Sequence, residues 1–268
     1  MYTTLLDTET VAAHLDDPDW LLVDCRFSLA DTEAGRRAYL AGHIPGAIYA
    51  HLDEDLSNPP ATDNGRHPLP RPEVLAARFA RMGIGPATQV VVYDDANGMI
   101  ASRLWWMLRY MGHEAAALLD GGWPAWVAAG YGQRIGEERR ATAVFTGRPK
   151  AEWLAVLDDL PQARLLVDSR DAARYRGELE TIDPVAGHIP GAVNYYFGEN
   201  VGENGRFLSP DQLRQKLRTL LGETPAEQAV FYCGSGVSAC VNLLALAHAG
   251  LGNGRLYVGS WSEYCHTL

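Results

Sequence analysis

Two kinds of apolar pattern alternate along this chain. Short, mostly apolar runs at 21–24, 47–49, 90–93 and 117–119 predict strands. Stretches with apolar residues at helical spacing predict helices over 72–82 and 100–111. The same succession returns in the second half, with strands near residues 165, 192, 230 and 256 and helices over 210–221 and 237–249. Strands alternating with helices imply an α/β fold, each copy a mostly parallel sheet with helices on both faces.

The recurrence extends to the residues themselves. Leu21-Leu-Val-Asp-Cys-Arg26 returns as Leu165-Leu-Val-Asp-Ser-Arg170, and Gly42-His-Ile-Pro-Gly-Ala47 returns unchanged as Gly187-His-Ile-Pro-Gly-Ala192. Asn64-Gly-Arg66 matches Asn204-Gly-Arg206, Val90-Val-Val-Tyr-Asp94 matches Ala229-Val-Phe-Tyr-Cys233, and Gly121-Gly-Trp123 matches Gly259-Ser-Trp261. Matches in the same order mean a duplicated domain. The expected division is a first copy over 1–132, a polar linker over 133–149, and a second copy over 150–268.

Bulk properties then remove whole classes of function. No apolar run approaches the roughly 20 residues that span a bilayer, so a membrane protein is not expected. The N-terminus lacks the basic and apolar regions of a secretory signal, which points to the cytoplasm. A net charge of -10 argues against nucleic acid, which is bound by basic surfaces. Cys25, Cys233, Cys240 and Cys265 form no C-x-x-C pair, so neither a zinc site nor a dithiol motif nor a disulfide framework is indicated.

The duplication supplies a comparison within one chain. Features shared by both copies serve the fold: the Gly-His-Ile-Pro-Gly loops with His43 and His188, and the pairs Asp24 with Arg26 and Asp168 with Arg170. A chemically able residue present in only one copy is a candidate for function, and Cys233 is such a residue, because Asp94 stands at its place in the first copy. Cys233 ends a strand and is followed by Gly234, Ser235, Gly236, Val237, Ser238 and Ala239, where a helix begins. Two glycines let such a turn point several N–H groups at one spot, and the helix adds its positive end. Both favour an anion, so the turn would lower the thiol pKa and hold a persulfide equally well.

By these motifs the whole chain resembles the tandem-domain sulfurtransferases of the rhodanese superfamily. Its loop Cys-Gly-Ser-Gly-Val-Ser-Ala is similar to that of the 3-mercaptopyruvate sulfurtransferases, with Ser238 where Thr is usual. The resemblance implies roles for further residues. Cys233 would be the sulfur carrier, with residues 234–239 cradling its charge. Ser235 would hydrogen-bond the reacting sulfur or pass a proton. Asp53 would be an acidic partner of that serine, and His67 would line the cleft, both supplied by the first copy. Arg174 would bind the substrate. The second arginine usual in that subfamily is missing; the segment reads Glu178-Leu-Glu-Thr-Ile-Asp-Pro184, with Asp183 near the place and Arg176 a candidate substitute.

The expected activity is therefore transfer of sulfane sulfur from 3-mercaptopyruvate through a Cys233 persulfide to a thiol or cyanide, with thioredoxin among the candidate acceptors and no metal or organic cofactor required. Thiosulfate is the alternative donor. The uncharged loop favours the monoanion over that compact dianion. A silent rhodanese-like binding module is the alternative from another class, since fold alone does not give function. Two motif readings fail on context. The G-x-G-x-x-A match at 234–239 does not open its domain or lead to an acid on the next strand. A cysteine phosphatase would need an arginine where Ala239 stands.

Overall fold

The structure, a computed structural model, describes residues 1–60 and 64–268. The chain divides into two compact units. The first comprises Met1–Ser57, Pro70–Lys150 and Asn204–Arg206; the second comprises Asn58–Leu69, Ala151–Glu203 and Phe207–Leu268.

In chain order the first unit contains β1 (Leu5–Leu6), α1 (Thr8–Ala13), β2 (Trp20–Asp24), α2 (Ala34–Ala41), β3 (Ile48–Tyr49), α3 (Pro72–Arg81), β4 (Gln89–Tyr93), α4 (Ala101–Tyr110), β5 (Ala116–Leu119) and α5 (Gly122–Ala128). The second contains β6 (Leu154–Ala155), β7 (Leu165–Asp168), α6 (Ala172–Tyr175), β8 (Val193–Asn194), α7 (Pro210–Leu221), β9 (Ala229–Tyr232), α8 (Ala239–His248), β10 (Arg255–Tyr257) and α9 (Ser260–Tyr264). Each unit holds one five-stranded sheet, in the orders β1-β5-β4-β2-β3 and β6-β10-β9-β7-β8, and all pairings are parallel. The two topologies are identical, as the repeated motifs require.

Burial explains why these segments fold as they do. β4 and β9 lie inside their sheets and every residue of both is buried, so an unbroken apolar run is what such a strand demands. α7 starts at Ser209, whose hydroxyl accepts from Gln212 N–H while the Gln212 side chain returns to the Ser209 N–H, and Pro210 fills the first turn. Its Leu213, Leu217 and Leu221 repeat every four residues and form the buried stripe. α8 is buried from Ala239 to Leu246 with no polar face, so its sequence is apolar almost throughout.

Repeated motifs hold repeated contacts. Arg26 and Arg170, each nearly fully buried, grip Asp24 and Asp168 at 2.6 Å and donate onward to the carbonyls of Gly42 and Gly187. His43 and His188 stack on Tyr39 and Tyr175 and bond their carbonyl oxygens at 2.8 Å. Truncating either arginine would leave a carboxylate buried and uncompensated, so Arg170→Ala is expected to lower stability by about 3 to 5 kcal/mol, readable as a shifted urea midpoint.

Residues 133–149 pack along the first unit: Arg134 and His43 exchange backbone bonds at 2.9 Å, and Ala143 N–H donates to Ala80 at 2.9 Å. Among the described residues no helix is long and apolar enough to cross a membrane. In the second unit the chain runs from β7 out to β8, then returns past β7 to β9 and on to β10. The winding thus reverses between β7 and β9, and ligands of such sheets bind beyond the strand ends at that point. Cys233 is the first residue after β9.

Candidate active site

The turn joining β9 to α8 is fixed at its base by its neighbour. Cys233 N–H donates to the Ser260 hydroxyl at 3.1 Å, while the carbonyls of Cys233 and Gly234 accept from Trp261 and Ser262 N–H at 3.0 and 2.9 Å. At Gly236 the backbone is left-handed, with φ of 73°, and a Cβ there would lie 2.4 Å from the Val258 carbonyl oxygen. Only glycine fits. Gly236→Ala is therefore expected to destabilise the second unit by about 2 kcal/mol or more and to disturb the turn, which a melting curve would register.

Cys233 is 2% exposed. Burial alone would push its thiol up, but the Ser238 hydroxyl and the N–H groups of Ser235, Ala239 and Val237 all bond the sulfur, and together they bring its pKa below the ordinary value. The first unit shows what such a turn is built to hold. There Asp94 fills it with a carboxyl group whose two oxygens accept from Ala96, Gly98, Ile100 and Ala101 N–H at 2.8 to 2.9 Å. Burial raises the Asp94 pKa from the usual carboxylate value, and the four N–H groups oppose that rise. One turn accommodates a fixed acid; the other presents a thiol whose pKa is lowered. Removing the hydroxyl in Ser238→Ala is expected to raise the pH at which half of Cys233 is alkylated by iodoacetamide, because a donor to the charged form is lost.

The remaining site residues predicted from sequence are placed as follows. His67, expected from the first copy, instead packs as part of the second unit; it is 5% exposed, and its Nδ1 lies 2.7 Å from the Ser235 hydroxyl. Arg174, on α6, has its guanidinium beside the turn: a Cβ on Gly234 would lie 3.5 Å from its Nη1. Its charge is met by Glu180, bonded from Nη2 at 2.9 Å to both oxygens, and by Asp183 at 3.4 Å. Asp53 belongs to the first unit and is half-buried; its N–H donates to His51 Nδ1 at 3.2 Å, and burial raises its pKa. Arg176, the candidate second arginine, is exposed and paired with Glu178 at 2.7 Å.

A residue that the sequence reading passed over stands closer than Arg176. Arg66 Nη2 would lie 2.9 Å from a Cβ on Gly234, nearer than either nitrogen of Arg174, and its Nη1 pairs with Asp183. Its backbone N–H donates to Ser262 at 3.1 Å, and a Cβ on Gly65 would lie 2.7 Å from the Gly259 carbonyl. Burial lowers the Arg66 pKa, a pull that the negative charge of Cys233 opposes. The Asn-Gly-Arg motif recurs at 204–206, where Arg206 reaches 3.3 Å from a Cβ on Gly121 in the first unit. Gly121 corresponds to Gly259, so the motif has a shared structural place, and comparing the two halves hid the charge it brings to one of them.

Among the described residues, one group has metal-ligand spacing: Glu33, His51 and Glu54, in the first unit. Arg36 already pairs with both glutamates, at 3.3 and 2.5 Å.

The site as built can form a thiolate, hold charge on its sulfur, and offer two guanidiniums to an anionic ligand. The family model of the rhodanese-like domain matches twice, over residues 7–129 and 150–267. A Pseudomonas aeruginosa protein named a probable 3-mercaptopyruvate sulfurtransferase is 48% identical over 97% of this chain and 94% of its own length. The thiosulfate sulfurtransferase of Bos taurus is 32% identical over 99% of this chain and 93% of its own. The solved 3-mercaptopyruvate sulfurtransferase of Leishmania major superposes with a TM-score of 0.89 at 33% identity, covering 99% of this chain and 75% of that one.

Proposed function

The chain belongs to the rhodanese-like family and is a sulfurtransferase, and on that premise we propose that it carries sulfur from 3-mercaptopyruvate on Cys233 to a thiol or cyanide. The observation that carries this reading is the buried sulfur bonded by Ser238 and three N–H groups beside two guanidiniums.

The reaction is a double displacement. The Cys233 thiolate attacks the donor sulfur; the S–S bond forms as the donor C–S bond breaks, and the electron pair leaves on carbon as the enolate of pyruvate, which takes up a proton. An acceptor thiolate or cyanide then attacks the outer persulfide sulfur and releases the Cys233 thiolate. Negative charge stays on or beside the sulfur through both steps, so fixed N–H donors stabilise each transition state without reorganising. Arg174 and Arg66 suit the donor carboxylate, which a planar guanidinium binds in two places. Ser235, whose hydroxyl is hydrogen-bonded to His67, would pass the proton, and Asp53 remains a proposed contributor. We take the setting to be reducing and cytoplasmic, where thioredoxin is a fitting acceptor.

Comparing kcat/KM for the two donors tests the assignment. The account expects 3-mercaptopyruvate to be favoured. Thiosulfate turnover at least about tenfold more efficient would place the chain with the thiosulfate enzymes instead.

A further inference from the structure

Residues 177–187 form a loop whose two ends meet. A Cβ on Gly177 would lie 3.2 Å from Gly187 N, and both glycines have positive φ, 74° and 125°. The side chains of this loop are distributed the wrong way round for a segment held by apolar burial. Leu179, Ile182 and Val185 are 51%, 44% and 36% exposed, whereas the carboxylates of Glu180 and Asp183 are each 3% exposed. Glu180 accepts from Arg174 and from the N–H groups of Ile182 and Asp183 at 3.0 and 3.1 Å, and lies 3.5 Å from Arg170, itself paired with Asp168. Asp183 bridges Arg66 and Arg174. Charge holds the loop in, and both guanidiniums beside Cys233 are already occupied.

We propose that Glu180 and Asp183 are internal counter-anions that a donor must displace, and that this displacement sets donor choice. The inference rests on the sulfurtransferase reading and deepens it. With Arg170 balanced by Asp168, Arg66 and Arg174 face two carboxylates. A monoanion that exchanges for Asp183, the acid with the longer Arg174 contact, leaves the pair balanced, and a carboxylate replaces a carboxylate with the same two-point geometry. A dianion making the same exchange leaves an extra negative charge beside a thiolate, in surroundings where little water screens it. The two acids therefore discriminate against thiosulfate, adding to the preference expected of the uncharged turn. The flanking glycines let the loop open as the exchange occurs.

Asp183→Asn and Glu180→Gln keep the shape and remove the charge. In either variant the ratio of kcat/KM for thiosulfate to that for 3-mercaptopyruvate is expected to rise about tenfold, chiefly through KM, since an internal competitor lowers apparent affinity by the fraction of sites it occupies. A second measurement needs no turnover. On a Cys233→Ser background, calorimetric binding of pyruvate and of thiosulfate should tighten in both variants, thiosulfate more. An unchanged donor ratio together with unchanged or weaker binding would overturn the proposal and leave the acids as structural counter-ions. Were the unmodified protein to turn over neither donor, the sulfurtransferase reading would fail, while the binding titrations would still decide the role of the two acids.

Discussion

Cys233→Ser is expected to lower turnover of either donor by about a thousandfold or more, since a serine hydroxyl in the same turn is neither ionised near neutral pH nor able to take up sulfane sulfur. Folding should be spared, because the substitution is nearly isosteric and the turn is fixed through backbone atoms rather than the sulfur. Cys25→Ser, Cys240→Ser and Cys265→Ser should retain activity. Burial raises the Cys25 and Cys265 thiols above the ordinary value, the reverse of the shift at Cys233. Steady-state assays with both donors, accompanied by melting curves, would separate loss of chemistry from loss of fold.

The second large effect is expected at Arg174. Arg174→Ala should cost about 2 to 4 kcal/mol in kcat/KM for 3-mercaptopyruvate, the scale of a lost charge-assisted contact, and should act more on KM than on kcat. Carboxylate binding changes little between ground and transition states, so the loss is nearly uniform along the reaction. Arg66→Ala should behave alike, and the double variant should fall short of the sum, because both arginines share Asp183. An Arg174→Ala enzyme with unaltered KM would remove it from the substrate site.

How much of this could be read in advance depended on what each segment must bury. The strands at 90–93 and 230 and the helices over 72–82 and 210–221 were legible because each has either no polar face or a regular apolar stripe. The edge strands β1 and β6 have two residues each, too short to show any period, and α6 has four. In the site, Cys233 stood out because Asp94 replaces it in the other copy. The same comparison concealed Arg66, since a repeated arginine looks structural until its surroundings differ. The segment 178–184 gave an absence, a missing arginine, while folding brings Arg66, paired with Asp183, beside the turn. The uncharged turn and the resemblance together suggested one guanidinium at the site, that of Arg174. Two guanidiniums lie against it, brought from 66 and 174 by folding.

The most direct test of the central claim, that Cys233 carries the transferable sulfur, is intact-protein mass spectrometry after incubation with donor and removal of excess. The account predicts a gain of one sulfur atom, mapped by peptide analysis to Cys233, absent in Cys233→Ser and reversed by added thiol or cyanide. A gain that persists in Cys233→Ser, or that maps to Cys25, Cys240 or Cys265, would contradict it.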